Sequence, residues 1–503
     1  MRTKKTLINI STSLLLEVVT IVYGFVVPRL IIRTFGSEVN GLICSIANYI
    51  GYITLLQSGV GSVVKASLYK PLANKDKDTL NTIVATANRF FDKIAVITVI
   101  YILLLSVCFP LLTGTDFGWF YTASLVVIIG ASTAAQYFFG ITYQMLLEAD
   151  QRAYIYSFVQ IVSILINTIL VVILIRLDYS IQIVKLATAF IYVLRPIIIG
   201  LYVRKQYRIS SHVPTDNDLI KQRWDGFIQA IALFIHQKTD IFVLTLLSTF
   251  INVSIYSVYS LIAGGLTAII SAVDKAVRSA FGNIIACNEH DNLISSFNAY
   301  NTIIHFMSTV FFATATITVF QFVKIYTNGI SDANYIQKSF GVLILTAEYI
   351  YSLRSPYNTI IYATGKFKET KIPAAIEAVV NISLSCLLVP VLGLSGVAIG
   401  TLIAMSYRTV SFVRFLSRNI LYLNIITQLK RFLVSFASYG FSILLFSKIP
   451  VGRVDSYFTW ILYAIVIMVA NTVTTLLFFI SLDNSGLVGA YTLTKQKIKN
   501  IIK

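Results

Sequence analysis

Ionisable side chains recur inside segments of this sequence that are otherwise apolar. The cations are Arg29, Arg195, Lys238, Arg354 and Arg408, and the acids are Glu17, Asp240, Glu348 and Glu377. The excess of cations predicts a basic surface that binds an anion, and the planar fork of arginine suits phosphate. The acids are candidates for coupling this binding to a proton or another ion.

Glu17 also has a structural interpretation, because it belongs to a polar stripe. The stripe follows steps of three and four residues, and its members are Asn9, Ser13, Glu17, Thr20, Gly24 and Pro28. Such a stripe lies on one helix face and fits either a cavity wall or a polar contact between packed helices.

The segment HQKTD carries three further ionisable groups. His236 and Asp240 are four residues apart and share one helix face, which predicts that both face a cavity. Lys238 lies about 200° away from either neighbour on a regular helix. It therefore either snorkels to an interface or lies in a distorted helix.

Arg354 lies eight residues from the end of its apolar segment, which is about 12 Å of helix. This depth is large for snorkelling, and Pro356 predicts a kink close by. Glu377 starts another polar helix face, with Asn381 four residues further on. A solvated helix end is the alternative interpretation of Glu377.

Composition shows what kind of element holds these groups. The chain has 503 residues, of which 56% are hydrophobic and 12% are charged, against about 25% charged in soluble proteins. Apolar stretches long enough to cross a ~30 Å hydrocarbon layer recur along the whole chain. We predict an all-α polytopic membrane protein with about 14 transmembrane helices. They lie at 8–32, 39–64, 93–113, 119–147, 153–176, 181–203, 226–248, 251–273, 301–323, 336–362, 372–393, 394–416, 432–448 and 458–481.

The positions of lysine and arginine predict the orientation. With both termini in the cytoplasm, 28 of the 40 basic residues fall in inside segments and six in outside loops. The positive-inside rule therefore predicts cytoplasmic termini. Because the basic residues lie in short loops between the spans, the net charge of +18 predicts no nucleic-acid partner.

No catalytic or metal-binding motif is evident in the sequence. The four cysteines are scattered singly, and there are no paired histidines, so no metal site or cofactor is predicted. The segment GLSGVAIGTL at 393–402 has spaced glycines but no preceding strand, which predicts a tight turn with close helix packing. No connection exceeds about 30 residues, and we predict that the protein is not an enzyme.

An internal repeat relates the two halves of the chain. Over Gly51–Asn88 and Gly264–Asn301, nine of 38 positions are identical at a shift of 213 residues. Further matched pairs are Tyr143 with Tyr357, Asn167 with Asn381, Thr188 with Thr401 and Arg195 with Arg408. An even number of spans per copy makes the repeat parallel, and transporters bind substrate where such halves meet. Tyr357 and Asn381 are therefore further candidate substrate-binding residues. For Arg195 and Arg408, snorkelling is the alternative interpretation.

The repeat predicts three parts. Residues 1–210 form an N-terminal six-helix lobe, 211–425 form a C-terminal six-helix lobe, and 426–503 hold two accessory spans and a cytoplasmic tail. The two six-helix repeats are expected to surround a central cavity.

Residues Leu353 to Ala404, LRSPYNTIIYATGKFKETKIPAAIEAVVNISLSCLLVPVLGLSGVAIGTLIA, carry a Pro-Tyr pair, Ala-x-Gly-Lys-Phe and a Glu/Asn helix. With the first span and its Gly-Ser-Glu-x-Asn-Gly turn, this segment resembles the Wzx-type polysaccharide flippases. These belong to the multidrug/oligosaccharidyl-lipid/polysaccharide exporter superfamily. Asp240 and the segment SIYSVYSLI at 254–262 also resemble the family pattern.

The resemblance implies a flippase that works by alternating access. Its cargo would be an undecaprenyl-pyrophosphate-linked oligosaccharide repeat unit, moved from the inner to the outer leaflet for surface polysaccharide biosynthesis. The bilayer and this lipid-linked substrate are the expected partners, together with a polysaccharide polymerase and glycosyltransferases.

Three other functions compete with this one. A related superfamily member could flip a peptidoglycan precursor, lipid II. A drug or cation antiporter fits the basic bias less well. A membrane-embedded polymerase or glycosyltransferase needs a larger outer loop than the chain has, and a scaffold is the remaining possibility.

If Glu17 and Asp240 couple export to an ion gradient, Glu17→Gln and Asp240→Asn should each lower surface glycan export and alter its pH dependence. Export is measured as glycan on the cell surface at matched protein levels. Unchanged export and pH dependence in both variants would contradict a coupling role.

Overall fold

A computed structural model describes residues 2–57, 60–114, 117–209, 213, 238–448, 454–484 and 486–489. The regular structure in these residues is helical, which confirms the predicted all-α polytopic fold. Twelve of the described helices are long and apolar enough to cross a membrane. The chain divides into two compact units, Met1–Ser254 (unit 1) and Ile255–Lys503 (unit 2). The predicted lobe boundaries at 210/211 and 425/426 stay predictions.

Unit 1 is built from helices of very different lengths. In chain order they are α1 (Arg2–Phe35), α2 (Ser37–Gly51), the 3₁₀ helix η1 (Tyr52–Gln57), α3 (Val60–Asn74), α4 (Lys77–Thr113), α5 (Trp119–Phe139), α6 (Ile141–Ala149), α7 (Ala153–Arg176), α8 (Ile181–Tyr207) and the helical residues 238–247, here called α9. Helix α10 (Phe250–Ala286) begins in unit 1 and continues into unit 2.

Unit 2 continues with seven helices among its described residues. They are α11 (His290–Tyr326), α12 (Lys338–Leu353), α13 (Ser355–Thr364), α14 (Phe367–Leu392), α15 (Leu394–Asn419), α16 (Ile425–Phe446) and α17 (Tyr457–Leu482).

Two of the fourteen predicted spans are not among the twelve described helices that are long and apolar enough to cross a membrane. The span at 226–248 lies mostly outside the described residues, and only its end is seen, as α9. The span at 336–362 is wrong as one helix, because α12 ends at Leu353 and α13 starts at Ser355. Arg354 marks the break, and Pro356 lies in the first turn of α13, where a missing N–H costs no hydrogen bond.

The loop predicted at 65–93 is instead largely helical. Helix α4 has 37 residues, or about 55 Å, so it is longer than the hydrocarbon layer. Asp76 caps its start by accepting a hydrogen bond from the Thr79 backbone N–H at 3.1 Å. The hydrogen bonds from Thr79 hold the pKa of Asp76 below its ordinary value. This cap explains why the helix begins in a polar, charged stretch.

The helix boundaries follow the sequence repeat. Helices α4 and α11 both have 37 residues, and their starts at Lys77 and His290 differ by 213. The starts of α8 and α15, Ile181 and Leu394, also differ by 213. Two copies of one helical pattern therefore underlie the two units.

The copies differ between α2 and α3. The residues of η1 interrupt the first copy in the interval that α10 crosses as one continuous helix in the second. The predicted continuous span at 39–64 is therefore wrong at 52–57. A 3₁₀ segment inside a longer helix is typical of a hinge or a site under strain.

Helices α14 and α15 pack closely through glycines, as the spacing in 393–402 predicts. The turn at Gly393 has a φ of 54°, a conformation that favours glycine. A Cβ at Gly396 would lie 2.6 Å from the Leu388 carbonyl carbon, and one at Gly400 would lie 2.6 Å from Ser385 Oγ. The absence of side chains here lets the two backbones approach each other.

The two spans predicted as accessory, α16 and α17, belong to unit 2 and pack on α11. Asn471 Nδ2 donates to Thr314 Oγ1 at 3.0 Å, and Trp460 Nε1 donates to the Thr318 carbonyl at 3.1 Å. A buried ion pair of 2.7 Å between Arg431 and Asp483 joins α16 to the end of α17. Polar contacts of this kind fix one register between apolar helices.

The glycine contact predicts a stability effect. Gly396→Ala should destabilise the purified protein by about 1–3 kcal/mol, because the new methyl group meets backbone atoms that cannot move away cheaply. Thermal unfolding in detergent measures the loss. Gly440→Ala in α16, where a Cβ meets nothing within 4 Å, is the matched control and should leave the melting temperature unchanged or raise it. Equal melting temperatures for the two variants would contradict close packing at Gly396.

Candidate functional site

Unit 1 contains a polar cavity of about 590 Å³, which we call the unit 1 cavity. Its wall is formed by η1, α3, α5, α6 and α8. Eight of its lining residues carry uncharged polar groups: Thr54, Gln57, Ser132, Thr133, Gln136, Tyr137, Gln144 and Tyr192. The volume falls in the range of ~300–1,000 Å³ that is typical of small-molecule sites.

Three charged residues line the cavity: Lys65, Glu148 and Arg195. Lys65 Nζ donates to Glu148 Oε2 at 3.0 Å, and both side chains are about one-third exposed. The Lys65–Glu148 pair has no net charge, so the charged residues of the lining sum to +1, and this charge is that of Arg195.

A series of polar contacts joins Glu148 to Arg195 along the wall. Gln144 Nε2 donates to Glu148 Oε1 at 2.9 Å, and Gln136 Nε2 donates to Gln144 Oε1 at 3.4 Å. Arg195 Nη2 donates to Gln136 Oε1 at 3.5 Å, which is a weak hydrogen bond. The Arg195 guanidinium also lies 5.5 Å from the centre of the Tyr192 ring. Amides that both donate and accept, beside an arginine, can bind hydroxyl groups and an anion.

Two buried polar atoms of the wall have no hydrogen-bond partner. They are Gln57 Oε1 and Arg195 Nε. A buried acceptor or donor without a partner costs about 1–3 kcal/mol. A ligand or water in the cavity would remove that cost.

Two breaks in regular helix shape the cavity wall. The 3₁₀ segment η1 carries Thr54 and Gln57, and Thr54 Oγ1 donates to the Gly51 carbonyl at 2.7 Å. The second break lies at Gly140, between α5 and α6, where a Cβ would lie 2.7 Å from Pro196 Cβ. Because α8 comes this close, only a residue without a side chain fits at position 140.

In unit 2, the predicted site residues Arg354, Glu377 and Arg408 form one buried ion network. Arg354 Nη1 donates to Glu377 Oε1 at 3.2 Å, and Arg408 Nη1 donates to Glu377 Oε2. The side chains are only 1%, 4% and 12% exposed, respectively. Both guanidinium groups also lie near the Phe412 ring, with the Arg408 carbon 4.8 Å from its centre.

In the duplicated pattern, this network corresponds to part of the unit 1 cavity. At the same shifts, Arg408 corresponds to Arg195 and Arg354 to Gly140. Both arginines contact Glu377, and the Arg354 side chain is only 1% exposed, so the geometry favours a structural role for Arg354 over an open anion contact. Its role as a pyrophosphate contact stays a prediction.

Tyr357 and Asn381 also lie in the core of unit 2. Tyr357 is fully buried, donates to Gln428 Oε1 at 2.9 Å and accepts from Asn301 at 3.3 Å. The repeat-related pair in unit 1 makes a similar contact, with Asn88 Nδ2 3.5 Å from Tyr143 OH. Asn381 Nδ2 donates to Thr401 Oγ1 at 3.1 Å, which joins α14 to α15.

The other predicted residues do not line the unit 1 cavity. Glu17 is exposed on α1, while Asp240 is buried in α9, where it interacts with other residues. The Lys238 side chain runs beside Gly51, and a Cβ there would lie 3.6 Å from Lys238 Cε. Arg29 and Glu348 are half-buried and have interaction partners. His236 lies outside the described residues.

The sequence analysis selected only Arg195 among the cavity residues of unit 1. It missed Gln57, Gln136, Gln144 and Glu148, because uncharged amides do not stand out in a search for buried charge. A usable signal exists: Gln136, Gln144 and Glu148 follow at intervals of eight and four residues and share one helix face. The described residues contain no cluster of His, Cys, Asp and Glu that could hold a metal ion.

Solved structures with this fold are membrane transporters. No protein-family model and no curated protein sequence matches the chain. "Lipid II flippase MurJ, inward closed conformation" matches with a TM-score of 0.68 and 15% identity, over 93% of this chain and 99% of that one. An inward-facing multidrug resistance MATE family transporter of the MOP superfamily matches with a TM-score of 0.62 and 13% identity, over 79% and 95%. The MATE multidrug transporter DinF-BH gives a TM-score of 0.61 and 17% identity, over 83% and 97%. The chain therefore has the fold that these transporters share.

The ion network predicts a stability effect in unit 2. Glu377→Gln should destabilise the protein by about 3–5 kcal/mol, because two buried arginines lose their common partner. Thermal unfolding in detergent is the measurement. Glu369→Gln, which removes the acid of an exposed pair with Lys366 at 3.5 Å, is the control and should change stability little. A Glu377→Gln protein as stable as the control would show that the network does not hold unit 2 together.

Proposed function

We propose that this protein is a flippase that moves undecaprenyl-pyrophosphate-linked oligosaccharide repeat units from the inner to the outer leaflet of the bacterial plasma membrane. The observation that carries the proposal is the unit 1 cavity, polar and with a surplus cation, in a chain that shares its fold with a lipid II flippase along almost its entire length.

The chemistry of the cavity favours a glycan over a lipophilic cation. Its amides and hydroxyls can each donate and accept hydrogen bonds, as sugar hydroxyl groups require. Arg195 adds a positive charge, which would repel a cationic drug and attract a phosphate. Polar groups of this kind are costly inside a membrane unless they bind something polar.

The predicted topology supports loading from the cytoplasm. With cytoplasmic termini, the end of α6 that carries Glu148, the partner of Lys65, is expected at the inner face. Lipid-linked cargo made at that face would meet the cavity there. Alternating access of the two six-helix repeats, with transfer of the intact cargo and no bond cleavage, completes the proposal.

Flipping of lipid II is the second candidate. The likeness to a solved lipid II flippase supports it, and the shared pyrophosphate and sugar chemistry makes the unit 1 cavity equally compatible with it. The resemblance of residues 353–404 to polysaccharide flippases favours the first candidate.

Reconstitution separates these functions. Purified protein in liposomes should expose a fluorescent lipid-linked oligosaccharide to a membrane-impermeant reagent faster than empty liposomes do, and the cargo should be recovered with its linkage intact. Arg195→Gln should slow the transfer of the lipid-linked oligosaccharide at least about tenfold, as expected for loss of a charged hydrogen bond. Arg176→Gln, at the exposed end of α7, is the control that removes a charge outside the cavity.

The same assay with lipid II tests the second candidate. Faster transfer of lipid II than of the oligosaccharide would replace the first proposal by the second. Transfer of neither cargo, or cleavage of the glycan linkage during the reaction, would contradict both.

A further inference from the structure

The residues around the unit 1 cavity differ from their counterparts in the second copy of the repeat. Three small residues of unit 1 correspond to larger, charged residues of unit 2: Gly61 to Asp274, Gly140 to Arg354 and Ser163 to Glu377. In unit 2, Arg354 pairs with Glu377, and Asp274 accepts hydrogen bonds from Tyr300 and Ser355. One helical pattern thus carries charged side chains at these positions in one unit and small residues in the other.

The cations of the two copies are also satisfied differently. Arg278 of unit 2 lies 4.4 Å from the centre of the Tyr362 ring, and Arg408 pairs with Glu377. Their counterparts are Lys65, which pairs with Glu148, and Arg195, whose hydrogen bond of 3.5 Å goes to the Gln136 amide. An unpartnered Nε is common to Arg195, Arg278 and Arg408. Of the two cations that line the cavity, Arg195 is the one without an acidic partner there.

We propose that the unit 1 cavity binds a sugar 1-phosphate group, the point at which a glycan is joined through its anomeric carbon to phosphate. Arg195 binds the phosphate, and Gln57 and Gln144 bind the ring hydroxyls. This inference rests on the proposed function and narrows it, because it assigns the junction between sugar and lipid pyrophosphate, not the whole repeat unit, to this site.

Charge and size both fit such a group. Arg195 supplies a positive charge for the phosphate on the anomeric carbon, and the Lys65–Glu148 pair is already neutral. A volume of about 590 Å³ accommodates a sugar with its phosphate but is too small for a lipid-linked oligosaccharide. The unpartnered Gln57 Oε1 can accept a hydroxyl proton, which a bare phosphate ion offers less readily than a sugar ring does.

The probe for this site is N-acetylglucosamine 1-phosphate, compared with free N-acetylglucosamine and with inorganic phosphate. Each is titrated into the purified full-length protein in detergent, and binding is measured by calorimetry and by the shift in melting temperature. The sugar phosphate should bind at least about tenfold more tightly than either half alone, because both the charged and the hydroxyl contacts are made.

Two variants assign the contacts. Arg195→Gln should reduce sugar phosphate affinity to that of the free sugar. Gln57 Oε1 has no hydrogen-bond partner that Gln57→Met could remove. This variant should weaken binding of the sugar phosphate and of the free sugar by a similar factor and leave binding of inorganic phosphate unchanged. Arg176→Gln should bind all three probes as the original protein does. The melting temperature of each variant without ligand shows that it is folded.

Two results would overturn the inference. One is equal affinity for inorganic phosphate and the sugar phosphate, which would make the cavity a general anion site. The other is unchanged binding in folded Arg195→Gln, which would place the ligand elsewhere. Because these measurements do not involve transport, failure of flipping in liposomes with normal sugar phosphate binding would contradict the proposed function and leave this site intact.

Discussion

The high cost of an unpaired charge in an apolar interior is the constraint on which this structure depends. Unit 2 meets it with buried acidic partners, since Glu377 contacts both Arg354 and Arg408 and Asp274 accepts hydrogen bonds from two hydroxyl groups. Unit 1 meets it only in part, because Lys65 has its acid while Arg195 has a single weak hydrogen bond. Arg195 lies in the wall of the unit 1 cavity, where a ligand can provide an anionic partner for it.

Because of the repeat, each residue around Arg195 in unit 1 can be compared with its counterpart around Arg408 in unit 2. Helices α4 and α11, and helices α8 and α15, start 213 residues apart, and both copies have a contact between an asparagine and a buried tyrosine. The copies differ where Gly140 and Ser163 of unit 1 correspond to Arg354 and Glu377 of unit 2. One pattern therefore provides an ion network in unit 2 and a polar cavity in unit 1.

The sequence predicts the architecture well and the site less well. Hydropathy, loop charge and the shifted identities predict the helices and the repeat, because these features depend on local composition. Pro356 signals the break at Arg354, whereas nothing signals η1, since Tyr52–Gln57 contains no helix-breaking residue. Intramembrane charge selects Arg354, Glu377 and Arg408, but only coordinates show that both arginines contact Glu377. The cavity depends on amides and an arginine from separate elements, and no local pattern brings Gln57 and Arg195 together.

The central claim is that unit 1 holds the polar part of the cargo while the buried ions of unit 2 hold that unit together. A cryo-electron microscopy structure of the protein in a lipid nanodisc with an undecaprenyl-pyrophosphate-linked oligosaccharide tests it most directly. The account predicts ordered density for a sugar and phosphate in the unit 1 cavity, with the phosphate against Arg195, and an unbroken Arg354–Glu377–Arg408 network. Density for the phosphate against Arg354, with the unit 1 cavity holding only water, would contradict it.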